Sequence, residues 1–386
     1  MRRIRPIWPW ITLVVLVGCG GGPSARLAAT RTDSSGVEIV MNRGPDAPLA
    51  WEFTERLRLG GAAEGPESFY QVNRALVGTD DHGNVFVLNR PESRIDVFDS
   101  GGRHLRGMGS SGGGPGEFRR PGILAVDPAG NVSVWDFGKR GFVRFASDGS
   151  VQDQARLAVP GYPMEFALRG DTILVAVQHY GDNSATVLHI FSSVDTTELV
   201  RVPLRLGGPV QFDCGVGLSM STPVFTKALT WHARQECIAT NAEPGYVIDV
   251  YQNGRLVRSI RREYELQPAT PELAVRELGQ GWTIRVGGRG DCVIPPEEVV
   301  EKQGMADFVP AVSQVMLGPD GTLWVGRHAF PDEPRLVDVF APDGEYLGTL
   351  SDFTIPVAIL ADGAIVTHET DQSDVQRLVI LDVEKL

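Results

Sequence analysis

The chain has 386 residues, of which 22% are charged and 42% apolar, the balance of a globular protein and not of a disordered one. Aspartate and glutamate outnumber lysine and arginine by 48 to 36, so the net charge of −12 disfavours nucleic acid and anionic headgroups as general partners. The 45 glycines and 26 prolines suit a chain of many short strands and tight turns, and such an all-β domain can occupy this length as one unit.

Taken from the N-terminus, residues 1–18 have the parts of a secretory leader. Arg2, Arg3 and Arg5 form a basic start, and Ile7 to Val17 form an apolar core too short to remain as a membrane-spanning helix. The core ends in Leu16-Val17-Gly18-Cys19, which resembles the lipobox of bacterial lipoproteins. That resemblance implies cleavage before Cys19, lipid on its thiol and amino group, and a place in the cell envelope. Gly20 is not the aspartate that retains some lipoproteins at the inner membrane, so the outer membrane is favoured. Residues 19–35, opening with Gly20-Gly21-Gly22-Pro23-Ser24, read as a flexible tether, and 36–386 as the folded domain.

Two stretches then align almost residue for residue. Gly65-Pro66-Glu67-Ser68-Phe69 followed by Asp81-His82-Gly83-Asn84-Val85-Phe86-Val87-Leu88 matches Gly114-Pro115-Gly116-Glu117-Phe118 followed by Pro128-Ala129-Gly130-Asn131-Val132-Ser133-Val134-Trp135. Asn84 and Asn131 hold equivalent places one period of 47 residues apart. Alternating runs such as Ile95-Asp96-Val97-Phe98 are strands, and the Asp/Gly clusters between them supply the positive φ of tight hairpins. A unit of this length with about four short strands is a propeller blade, which buries both faces only when packed against other blades. Gly112-Gly113-Gly114-Pro115-Gly116-Glu117-Phe118 and the Gly-Asn turn after it resemble six-bladed, NHL-type propellers, and in particular uncharacterised bacterial lipoproteins that carry such a propeller.

Later blades show only as strand patterns. The third has Arg169-Gly170-Asp171 before Thr172 to Val177, then Leu188 to Phe191. The fourth runs from Phe225 to Thr230, through Tyr246 to Tyr251, to the turn Asn253-Gly254. Pro319-Asp320-Gly321 and Pro342-Asp343-Gly344 frame the fifth, and Asp362-Gly363 starts the last. That last blade has about three strands of its own, so Trp51 to Leu59 is expected to complete it. The fold expected is thus an all-β six-bladed propeller with N-to-C strand closure that removes the free sheet edge. Gly36 to Met41 reads as one more strand without a place.

Residues 264–308 do not fit a blade. Thr270 to Leu278 has a cap, a proline at the first helical position and helical apolar spacing, and Pro295 to Lys302 reads as a second short helix. The segment is expected to be a partly helical insertion, with a seventh blade as the other reading. Besides Cys19 there are three cysteines; Cys214 with Cys237 is the favoured disulfide, and a bond to Cys292 stays open.

In a four-stranded blade, the ends of the second strands share a face with the Gly-Pro-Gly-Glu-Phe connections. Read in order those ends are Asn89, Arg90, Asp136, His179, Asn241, His328 and His368, a candidate ligand-binding ring. No catalytic residue can be named, because no hydrolase elbow, zinc-protease helix, phosphate loop or dinucleotide fingerprint is present. Trp135, Trp231 and Trp324 are expected to pack between blades. The function read from the chain is a membrane-anchored binding or scaffolding module for a protein or small polar ligand. The alternative is a metal-dependent propeller enzyme, lactonase- or lyase-like, for which alone a calcium or zinc cofactor would be needed.

Overall fold

The structure is a computed structural model that describes residues 29–61, 64–152, 161–169, 172–181, 183–191, 195–286 and 290–385. The leader, the lipobox and Cys19 lie outside the described residues. Six antiparallel blades follow one another around an axis. Blade 1 is Val77–Thr79, Val85–Asn89, Arg94–Phe98 and His104–Met108; blade 2 is Pro121–Val126, Val132–Asp136 and Gly141–Phe145. Blade 3 is Tyr162–Arg169, Thr172–His179, Ala185–Phe191 and Thr196–Pro203; blade 4 is Thr230–Arg234, Cys237–Asn241, Val247–Gln252 and Arg255–Arg262. Blade 5 is Val312–Leu317, Leu323–Arg327, Leu336–Phe340 and Tyr346–Ser351. Blade 6 is Ala358–Ile359, Ile365–Thr370 and Gln376–Lys385, with Trp51–Gly60 as its outer strand.

Turn chemistry explains the regular spacing. Asp127 accepts hydrogen bonds from the backbone N–H and the side-chain amide of Asn131, and Asp80 does the same for Asn84, so each Gly-Asn turn is locked from within. The triple-glycine connection folds back on Glu117, whose carboxylate accepts the Gly114 N–H at 2.6 Å. A Cβ on Gly112 would stand 2.1 Å from that carboxylate, so a larger residue would have to displace the Glu117 side chain from this bond. Phe118 then enters the seam between blades 1 and 2 among Phe86, Ile95, Val97, Val134 and Phe145. Equivalent apolar seams join the other blades, and Trp135, Trp231 and Trp324 are buried in them as expected.

Strand closure is corrected. Trp51–Gly60 does pair antiparallel with Gln376–Lys385, with Leu59 opposite Leu378, yet among the described residues no sheet closes on itself. Blade 6 is an open sheet, and its N-terminal strand is an edge. The physical reason is that blade ladders run outward from the axis, so the ring is held by side-chain packing and not by a continuous ladder. Glu52, Glu55, Arg56 and Arg58 are exposed along that edge and guard it with charge.

The N-terminal segment has a second role. Val37–Asn42 adds in parallel to the outer strand of blade 4, and Thr30–Ser34, within the stretch read as tether, pairs with it as a further edge strand. Blade 4 itself is offset from its sequence reading. Its first strand is Thr230–Arg234, because Phe225 takes φ +64° and the chain before it turns. Thr226 donates to the carbonyl of Pro223 in that turn.

The insertion holds α1 (Pro271–Leu278), the hairpin Trp282–Val286 with Gly290–Ile294, and α2 (Pro296–Gln303). Thr270 caps α1 by accepting the Leu273 N–H, as its sequence predicts. Phe212 from the connection between blades 3 and 4 joins Cys292, Ile294 and Val299 in one small core. That packing corrects the cysteine pairing. Cys214 is bonded to Cys292, while Cys237 is a free, half-buried thiol at the start of a blade strand. The two connections are brought together by their apolar residues, and nearness in sequence was a poor guide to nearness in space.

Candidate functional site

The ring expected from the second-strand ends does not assemble into one site. Asn89 is buried and donates to the Ser68 carbonyl at 2.9 Å; Asn241 is buried and donates to the carbonyls of Glu243, Gly245 and Val247. Asp136, with 0% exposure, accepts the backbone N–H groups of Arg119, Arg120 and Lys139 at 2.7, 3.1 and 2.9 Å. These three side chains staple loops. His179 shares a hydrogen bond with His189, Nε2 to Nε2 at 3.3 Å, and burial lowers the basicity of both rings. His328 lies between Phe225 and Phe330 with Nε2 3.2 Å from Glu277, so it seats α1 of the insertion. His368 is exposed on the last blade. Among the described residues no group of three or more His, Cys, Asp or Glu side chains is placed to hold a metal ion. Arg90 borders an open cavity.

The cavity that sequence reading missed lies on the axis. Its volume is about 540 Å³, and it is walled by the innermost strands of blades 1, 2, 3, 4 and 6. Asp80, Pro128, Gln235 and Ala361 belong to the turns after strands of that wall and Pro319 to the matching turn of blade 5, so the mouth opens on the face opposite the Gly-Pro-Gly-Glu-Phe connection. A smaller cavity of about 240 Å³ enters from the other face, lined by Met164, Leu229, Ser313 and Gln314 at the strand starts.

Arg74 separates the two. It stands in the short helical turn Arg74–Leu76 before blade 1, and its guanidinium donates to the carbonyls of Trp231 at 2.8 Å and Val315 at 3.0 Å. Its third partner is Glu165 of blade 3, at 2.9 Å. Burial pushes the Glu165 carboxyl up, and the arginine pulls it back. Residues from blades 3, 4 and 5 thus converge on one side chain that plugs the channel.

Above the plug, His232 accepts the Leu317 N–H at Nδ1, 3.0 Å, which leaves Nε2 to carry the proton of the neutral ring. Burial, with Arg74 and Arg234 nearby, holds its basicity well down. Arg234 donates to the Ile359 carbonyl and feels the charges of Asp81 and Asp320. Two guanidiniums therefore face three carboxylates, Asp80, Asp81 and Glu165, in the lining. Arg74 is taken up by Glu165 and two carbonyls and Arg234 by the Ile359 carbonyl, so the lining has no unopposed positive charge and offers polar hydrogen-bonding groups to an uncharged guest. No signal in one sequence announces it, because its lining comes in short runs from separate blades and most of the residues are small or apolar.

A helix long and apolar enough to cross a membrane is absent among the described residues. No curated protein matches the chain. Residues 67–169, which hold blades 1 and 2 and the start of blade 3, match the DUF5128 family, described as a 6-bladed beta-propeller. Two solved structures share the architecture along most of the chain. One is a protein of Bacteroides fragilis, 12% identical, covering 90% of this chain and 100% of its own, with a TM-score of 0.53. The other is a member of the DUF4221 family from Bacteroides vulgatus, 8% identical, covering 87% of this chain and 99% of its own, also at 0.53. At such identities the likeness establishes the fold, a six-bladed β-propeller, and that alone.

Proposed function

We propose that this chain is a binding module of the cell envelope, tethered by lipid on Cys19, whose axial pocket takes a small uncharged polar molecule. The observation that carries the reading is the plugged axial cavity of about 540 Å³, within the size of small-molecule sites. Its arginines are already opposed by carboxylates of the lining, so a guest would bind through hydrogen bonds to His232 Nε2, Gln235 and backbone groups. The leader and Leu16-Val17-Gly18-Cys19 support the anchor, and two or more acyl chains would make it stable.

Two experiments test the parts separately. In native mass spectrometry with a panel of neutral mono- and disaccharides, the wild type is expected to hold one member at a ratio of one to one. Ala361→Trp, which fills the exposed mouth, is expected to abolish that complex. No complex with any member, or one indifferent to Ala361→Trp, contradicts the axial site. For the anchor, labelled palmitate is expected on the wild type and absent from Cys19→Ala; label on both contradicts it.

A further inference from the structure

A second cavity, of about 550 Å³, lies between blades 1 and 2 on the face opposite the axial mouth. Its lining is Arg90, Arg119 and Arg120 with Gln71, Ser93 and Gly122, flanked by the aromatic rings of Tyr70 and Phe137. No carboxylate lines it, in a chain with 48 acids against 36 bases. None of the three arginines is in an ion pair among the described residues; Arg90 donates only to Gln71 Oε1, at 2.9 Å. By contrast, Arg56, Arg58, Arg262, Arg276 and Arg327 each meet two carboxylates.

The cleft is built and not accidental. Asp136 holds the backbone of Arg119 and Arg120 through three short contacts, and Phe137 N–H donates back to the Arg120 carbonyl at 2.9 Å. The Phe137 ring packs against the backbone of residue 122, which is glycine. A Cβ there would stand 2.2 Å from the ring. Arg120 rests over that ring, 5.5 Å from its centre. Tyr70, 54% exposed, stands on the other side.

We infer that this cleft is an anion site for a phosphate group, separate from the axial pocket and independent of it. Three unpaired guanidiniums call for more than the single charge of a carboxylate. A phosphate monoester carries about −1.5 to −2 at neutral pH and matches the arginine fork geometrically. The phosphate belongs either to a free small molecule or to a lipid headgroup.

Calorimetric titration of the soluble domain, residues 20–386, with pyrophosphate is the test for the free source. Co-sedimentation with phosphatidylcholine vesicles, with and without phosphatidic acid, whose headgroup is a phosphate monoester, is the test for the lipid source. Saturable binding in either arm, weakened about tenfold or more by Arg119→Gln/Arg120→Gln and unchanged by Arg255→Gln on the opposite side of the ring, supports the site and identifies its source. Circular dichroism of each variant confirms that the fold is kept. Binding in neither arm, or binding that the double variant leaves unchanged, overturns it.

Discussion

The axial pocket and the cleft between blades 1 and 2 are similar in volume and opposite in electrostatics. On the axis, Arg74 is neutralised by Glu165 and two carbonyls, and His232 is held uncharged. In the cleft, Arg90, Arg119 and Arg120 face no carboxylate. The difference teaches which charges build the fold and which are left over for a partner. A charge that is buried and fully matched is needed for folding, since removing its partner leaves an uncompensated ion. A charge that is aligned by others yet unmatched can be removed without harm to the fold.

Four variants break or sharpen that contrast, beginning with the largest effect. Asp136→Ala is expected to lower stability in urea by about 3 kcal/mol or more, because three backbone N–H groups lose their acceptor in a site closed to water. It should also disorder the cleft. Arg74→Met is expected to cost about 2 kcal/mol, leaving two carbonyls and Glu165 unmatched on the axis, with denaturation again the readout.

Lys227 gives a pH-dependent case. Burial lowers its pKa from 10.5 to about 7, and its ammonium has only the Val312 carbonyl at 3.4 Å. The folded state therefore releases this proton earlier than the unfolded one, so this lysine adds stability as pH rises from about 7 to 10.5 and none below. Lys227→Met should flatten that rise in a series of melts and raise the melting temperature most at the acid end. The smallest effect belongs to the cleft: Arg119→Gln/Arg120→Gln should stay within about 0.5 kcal/mol of the wild type. A loss comparable to that of Arg74→Met would erase the contrast.

The same contrast runs through what could be read from the sequence. Blades 1 and 2 were legible because Gly114, Phe118 and the Gly-Asn turn of one repeat recur as Gly65, Phe69 and Gly83-Asn84 in the other, each with a local structural reason. Blades 4 and 5 carry a fainter copy that went unread. Ile95-Asp96-Val97-Phe98, Ile248-Asp249-Val250-Tyr251 and Val337-Asp338-Val339-Phe340 are all third strands with a shielded aspartate. Asp338 shows its use, accepting Tyr246 Oη at 2.6 Å and the Arg327 fork at 2.8 Å to join blades 4 and 5. The axial pocket was not legible, since its lining is scattered over five blades. Arg74 precedes a three-residue strand and carries no motif. The ring of strand ends was half legible: it found Asp136 and Arg90, which do bear on the cleft, yet took hydrogen-bonded asparagines for ligands. Cys214 with Cys292 depended on a packing of two connections that only the tertiary structure reveals.

The contrast is tested most directly by crystals of the soluble domain soaked in tungstate, a heavy phosphate analogue located by its anomalous scattering. The account predicts a tungsten peak among Arg90, Arg119 and Arg120 and none beside Arg74 and Glu165. A peak in the axial pocket with an empty cleft would contradict it.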